Sequence, residues 1–100
     1  MILLNTTFIV ADNRLPEFEK WARETYLPAL GDAGIFSSPL MARVLGCVEP
    51  GTTSIAIQAQ APDLAEATRW HDETASLLKD DLQARFQGQA LFFTTYMEIL

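Results

Sequence analysis

QALFFTTYMEIL, residues 89–100, is the stretch on which the reading of the whole chain turns. Laid out as a strand, it shows Leu91, Phe93, Thr95, Met97 and Ile99 on one side. Phe92, Thr94, Tyr96, Glu98 and Leu100 fall on the other. A strand with one side in water alternates apolar and polar residues. Here both sides are largely apolar and Glu98 is the single charge. The sheet that holds this strand therefore needs two covers.

Working backwards, Gly88 stops a helix that opens at Pro62 and Asp63, where Glu66 completes a capping box with Asp63. Leu64, Ala67, His71, Ala75, Leu78, Leu82 and Phe86 line one face of that helix. TTSIAIQAQA (52–61) and LMARVLGCV (40–48) are predicted strands, joined as a hairpin through the turn signal Glu49-Pro50-Gly51. ILLNTTFIV (2–10) is a first, uncharged strand. Asp12 and Asn13 offer a cap to the helix that follows, with Pro16 in its first turn. Its apolar stripe is Leu15, Phe18, Ala22 and Thr25, broadened by Trp21 and Tyr26. Pro28 has no amide hydrogen for the carbonyl of Glu24, so this helix is expected to kink or end near Tyr26. Gly31 and Gly34 close the segment.

The order strand, helix, strand, strand, helix, strand predicts a ferredoxin-like α+β fold. Right-handed crossovers around a hairpin give a four-stranded antiparallel sheet with both helices on one face. The first and third strands are then central. One hundred residues make one such domain, 1–100. A chain of this size buries about 65% of its unfolded surface and folds without disulfide or metal.

Composition excludes several function classes. The net charge is −6 and the seven Lys and Arg are scattered, which argues against nucleic acid or an anionic membrane surface as partner. Cys47 is the only cysteine; it reads as a small buried hydrophobe, and nothing points to secretion. No apolar run approaches the length of a membrane span, and MILLNTTFIV lacks the basic start of a signal peptide. The expectation is a soluble cytoplasmic protein.

Charge placement suggests the second cover. The predicted strands hold only Arg43 and Glu98 among the charged residues. Leu4, Thr6, Phe8 and Val10 with Ile55, Ile57 and Ala59 form the more apolar side, expected to meet the helices. The opposite side carries Leu3, Asn5, Thr7 and Ile9 with Ser54, Ala56, Gln58 and Gln60, whose polar groups are all neutral. Neutral amides and hydroxyls are buried readily once hydrogen-bonded. The same face of a second copy, related by a two-fold axis, is the simplest cover. The expected partner is thus the chain itself, through Asn5, Thr7, Gln58 and Gln60, with Tyr96 placed in the same interface.

MILLNTTFIV, the helix end WARETYLPAL, the loop AGIFSSP, the strand MARVLG, the helix around Trp70 and the ending ARFQGQALFFTTYMEIL together resemble a small bacterial domain family of unknown function. That family is placed in the dimeric α+β barrel superfamily. The resemblance implies the fold and face-to-face dimer reached above, and no single activity, because this scaffold hosts unlike chemistries. Relatives so implied include cofactor-free monooxygenases, haem-degrading enzymes, lactone isomerases and stress proteins. Family members often carry His where this chain has Tyr26 before Leu27-Pro28. Asn5 and Trp70 loosely resemble two residues of the haem-degrading relatives. The haem-ligating His has no counterpart near Leu78, Lys79 and Asp80, so no haem or other cofactor is expected.

Candidate chemistry centres on His71, the one side chain whose ordinary pKa lies near neutrality. It is the candidate proton acceptor, and Tyr26, Trp70 and His71 are the candidate ligand pocket for a small apolar molecule. The competing reading has the aromatics as core and His71 as an interfacial histidine. Asp72 and Glu73 point away from His71 on a helix and no second His exists, so no metal site is expected. Two functions follow. The first is a non-enzymatic homodimer that binds a small molecule or a protein in a regulatory or stress role. The second is a cofactor-independent monooxygenase or isomerase acting on a small aromatic or polyketide-like substrate. The enzyme reading requires an enclosed cavity of about 300 Å³ or more with a titratable side chain aimed into it.

Overall fold

The computed structural model describes residues 1–46 and 49–100. Strand β1 spans Ile2–Ala11, β2 Ser37–Arg43, β3 Thr52–Ala61 and β4 Ala90–Glu98, in the sheet order β2-β3-β1-β4. All pairings are antiparallel. The first helix consists of α1 (Leu15–Trp21), a π-turn (Ala22–Tyr26) and α2 (Leu27–Asp32). The second consists of α3 (Leu64–Trp70), a π-turn (His71–Ala75) and α4 (Ser76–Phe86). This is the ferredoxin-like arrangement, with β1 and β3 central. Among the described residues no helix is long and apolar enough to cross a membrane.

Parity works as the sequence suggests. Leu4, Thr6, Phe8 and Val10 are buried, as are Ile55, Ile57 and Ala59. Phe8 is the hub, with the rings of Phe18, Tyr26, Trp21 and Phe92 centred 5.1, 5.5, 6.1 and 6.1 Å away. Removing such a side chain costs about 3–5 kcal/mol through lost transfer energy and the cavity left behind. On the other side, β4 pairs with β1 so that Leu91 faces Ile9, Phe93 faces Thr7 and Met97 faces Leu3. Leu91 and Phe93 are 57% and 54% exposed in the single chain. Arg43 and Glu98 are the only charges in the four strands.

Several local expectations are corrected. Asp12 does not cap the first helix; a 3₁₀ turn, Asp12–Arg14, precedes it, and the Asp12 carboxylate accepts from the Thr53 hydroxyl at 2.7 Å. Asp63 does cap the second helix, accepting from the Glu66 amide at 2.8 Å. Pro28 neither ends the first helix nor leaves it regular. The Leu27 amide reaches back five residues to the Ala22 carbonyl, and this wider turn relieves the crowding between the Pro28 ring and Glu24. Strand β2 starts earlier than expected and stops at Arg43, with a bulge between Ser37 and Leu40 that accommodates Pro39 and the left-handed Ser38 (φ 53°). The Pro50-Gly51 turn forms, closed by the Thr52 amide on the Glu49 carbonyl at 3.2 Å, with Gly51 at φ 79°. The expectation for Cys47 lies outside the described residues, as does the predicted end of β2 at Val48.

Candidate functional site

The helix-facing side of the sheet carries hydroxyls at two positions that would otherwise be aliphatic. Thr6 on β1 and Thr94 on β4 are register partners, with their oxygens 3.0 Å apart. Lys79, from α4, reaches down onto this pair and is only 4% exposed. Its Nζ donates to Thr94 Oγ1 at 2.6 Å, to Thr6 Oγ1 at 3.3 Å and to His71 Nε2 at 2.8 Å. An ammonium has three protons and no acceptor, so three acceptors saturate it. The arrangement also fixes the imidazole. With Nε2 accepting, the proton of neutral His71 sits on Nδ1, 3.5 Å from the Asp72 carboxylate.

The π-turn builds this contact. Eight residues along a regular helix separate side chains by about 80° around its axis. The Ser76 amide bonds to the His71 carbonyl, five residues back, so the turn absorbs one residue. The separation of His71 and Lys79 then falls to about 20°, and both face β4.

Burial lowers the pKa of both members of the pair, and charge lowers that of His71 further. Desolvation pulls the Lys79 amine down to about 8. Desolvation first, and then the neighbouring Lys79 charge, lower the His71 pKa, with Asp72 opposing. Lys79 also sits over the Phe92 ring, 5.1 Å from its centroid. Among the described residues no carboxylate forms an ion pair with Nζ.

Beside this cluster, between α4 and edge strand β4, lies an open groove of about 330 Å³ lined by His71, Ser76, Lys79, Asp80, Phe92, Phe93 and Thr94. It is not the pocket anticipated. Tyr26 is sealed in the core, its hydroxyl 3.5 Å from Thr6 Oγ1 and its pKa raised to about 12 by burial. Trp70 packs edge-on against Tyr26 and Phe36 and lines a different hollow, with Ala33, Ile35 and Arg69. Of the three candidate pocket residues, only His71 opens onto the groove. Tyr26 reaches it through the Thr6 hydroxyl alone. Lys79, the group most perturbed by its surroundings, was not among the candidates.

Asn5, Thr7, Gln58 and Gln60 all fall on the sheet side away from the helices, and the Asn5 amide donates to the Thr7 hydroxyl at 3.1 Å. Tyr96 does not join them. It pairs with Leu4, so strand alternation turns it to the helix side, where its ring centre lies 6.0 Å from that of His71. Among the described residues no group of three or more His, Cys, Asp or Glu is placed to hold a metal ion.

Comparison with known proteins locates the chain. Residues 1–100 match the family model described as a domain of unknown function (DUF4286), and the chain belongs to that family. None of the curated proteins matches. Among solved structures, it is similar to a provisionally assigned antibiotic biosynthesis monooxygenase from Deinococcus radiodurans, at TM-score 0.70 and 12% identity over 100% of this chain and 93% of that one. HapK from Hahella chejuensis gives TM-score 0.69 and 15% identity, again over 100% and 93%. A dimeric ferredoxin-like protein from an uncultured marine organism gives 0.56 and 15%, over 98% and 97%. At these identities the likeness is one of fold.

Proposed function

We propose that this family member is a cytoplasmic homodimer that binds a small apolar molecule with an acceptor oxygen in the groove between α4 and β4. The carrying observation is the buried, carboxylate-free Lys79 ammonium held against neutral His71 beside Phe92. A ligand oxygen that replaces the longest of the Lys79 hydrogen bonds, the one to Thr6 at 3.3 Å, is oriented at one end of the groove, while the aromatic wall supplies contact area. A volume of about 330 Å³ suits a ligand of about ten to fifteen heavy atoms.

The dimer reading rests on the outer sheet face. Leu91, Phe93 and Met97 are exposed there beside the uncharged Asn5, Thr7, Gln58 and Gln60. An apolar, charge-free face of this kind marks an interaction surface. A dimeric relative of the same fold adds support. Phe93 belongs to this face and also lines the groove, so a partner seated on the sheet would lie along the groove's open side.

A second reading draws on the same pair. A cofactor-independent monooxygenase or isomerase needs a neutral base beside a cation that steadies an enolate, and His71 with Lys79 supplies both. Against it, the interior around Tyr26 and Trp70 is packed and the groove is open. We therefore place binding first.

Titration of the ¹⁵N-labelled protein with benzamide tests the groove. Shifts confined to His71, Lys79 and residues 92–94 are expected. Unchanged spectra at millimolar benzamide, or shifts centred on Trp70, overturn it.

A further inference from the structure

We propose that the groove captures an aldehyde or ketone bearing an apolar substituent, as a reversible imine on Lys79, with His71 moving the protons. This deepens the groove reading above and rests on it.

A structural lysine in a protein interior is normally paired with a carboxylate, because an unneutralised buried ammonium is costly. Lys79 has none among the described residues; its partners are two hydroxyls and an imidazole. Such surroundings satisfy the ammonium without holding it charged, which keeps the neutral, nucleophilic amine within reach. The amine faces an apolar wall at Phe92, where a carbonyl substituent would lie. His71 Nε2 is 2.8 Å from Nζ and 3.2 Å from Thr94 Oγ1, and its Nδ1 is backed by Asp72. Proton transfer from Nζ to Nε2 would leave an imidazolium stabilised by the Asp72 carboxylate. Among the described residues, Asp80, Tyr96 and, through the Thr6 hydroxyl, Tyr26 are further ionisable groups beside the site.

The chemistry balances without a further reagent. The Nζ lone pair adds to the carbonyl carbon and the C=O π electrons move to oxygen. One nitrogen proton passes through His71 Nε2 to that oxygen, giving the carbinolamine. The second nitrogen proton follows the same route to the hydroxyl, which leaves as water while the nitrogen lone pair closes the C=N bond. Hydrolysis reverses the sequence, and no electrons are transferred to or from the protein.

The chain has only two lysines, Lys20 and Lys79, so capture is readily mapped. The full protein is incubated with benzaldehyde and sodium cyanoborohydride at about pH 8, and the reduced adduct is located by peptide mass. One benzyl group on Lys79, formed well ahead of Lys20 and the amino terminus, is expected. His71→Gln should slow its formation by about 10²-fold. Benzamide shifts without benzylation of Lys79 overturn the imine and leave the groove reading intact. Equal labelling of Lys20 and Lys79 also overturns it. Absence of both shifts and adduct overturns both readings. An unchanged rate in His71→Gln removes the proton-transfer role.

Discussion

Lys79 Nζ and His71 Nε2, eight residues apart on one helix, meet at 2.8 Å because a π-turn lies between them. Burial lowers the pKa of both, and the Lys79 charge lowers that of His71 further. The contact is built at a cost to stability, since an ammonium is held out of water with no ion pair to a carboxylate among the described residues.

Replacement of Lys79 by Met measures that cost. Thr6, Thr94 and His71 still satisfy one another after the change, because Thr6 and Thr94 are 3.0 Å apart and Thr94 and His71 3.2 Å. At pH 7, Lys79→Met is expected to be as stable as the parent or more stable, by up to about 2 kcal/mol in urea denaturation. A loss of about 3 kcal/mol or more would show the ammonium to be a net stabiliser.

The pH dependence of stability has a definite sign. The folded Lys79 pKa of about 8 lies below the ordinary 10.5, so between these values the unfolded chain binds more protons. Stability therefore rises with pH from about 8. Tyr26 acts the other way: raised from 10.0 to about 12, it makes stability fall above about pH 10, where the unfolded tyrosine ionises first. His71, lowered from 6.5, gives a further rise as pH climbs towards that value. Urea midpoints should climb between pH 8 and 10 in the parent and stay flat there in Lys79→Met. A parent midpoint that falls over that interval contradicts the assignment.

Much of this was legible in the sequence, and the misses have physical causes. The sheet order follows from the order of elements and right-handed crossovers, and the buried faces of β1 and β3 from alternation, which a strand cannot violate without losing its core. Tyr96 was misplaced although the same alternation, counted along β4 from Phe92, puts it on the helix side. Lys79 was missed because a charge flanked by Leu78 and Asp80 reads as surface, and from Ala75 a step of three to Leu78 is as helical as one of four. Trp70 to Ala75, both buried, is a step of five, which a π-turn brings onto one face. That irregular spacing was the available signal. His71 was found from its chemistry alone, and its partner from the fold.

The outer face should respond to a single charge. Thr7 lies at its centre, between Ala56 on β3 and Phe93 on β4. Thr7→Glu is expected to convert a dimer to monomer in light scattering at micromolar protein, with far-ultraviolet circular dichroism unchanged. A parent protein that is already monomeric, or a variant that stays dimeric, contradicts pairing through this face.

The most direct test is the titration of Lys79 itself, followed by NMR of its ¹³Cε and ¹⁵Nζ nuclei. Lys79 is expected to titrate near 8, as the burial of its amine requires, and its resonance to register the titration of His71 as well. If Lys79 titrates in the ordinary lysine range, its amine is in water, and the groove has no buried base to offer a ligand.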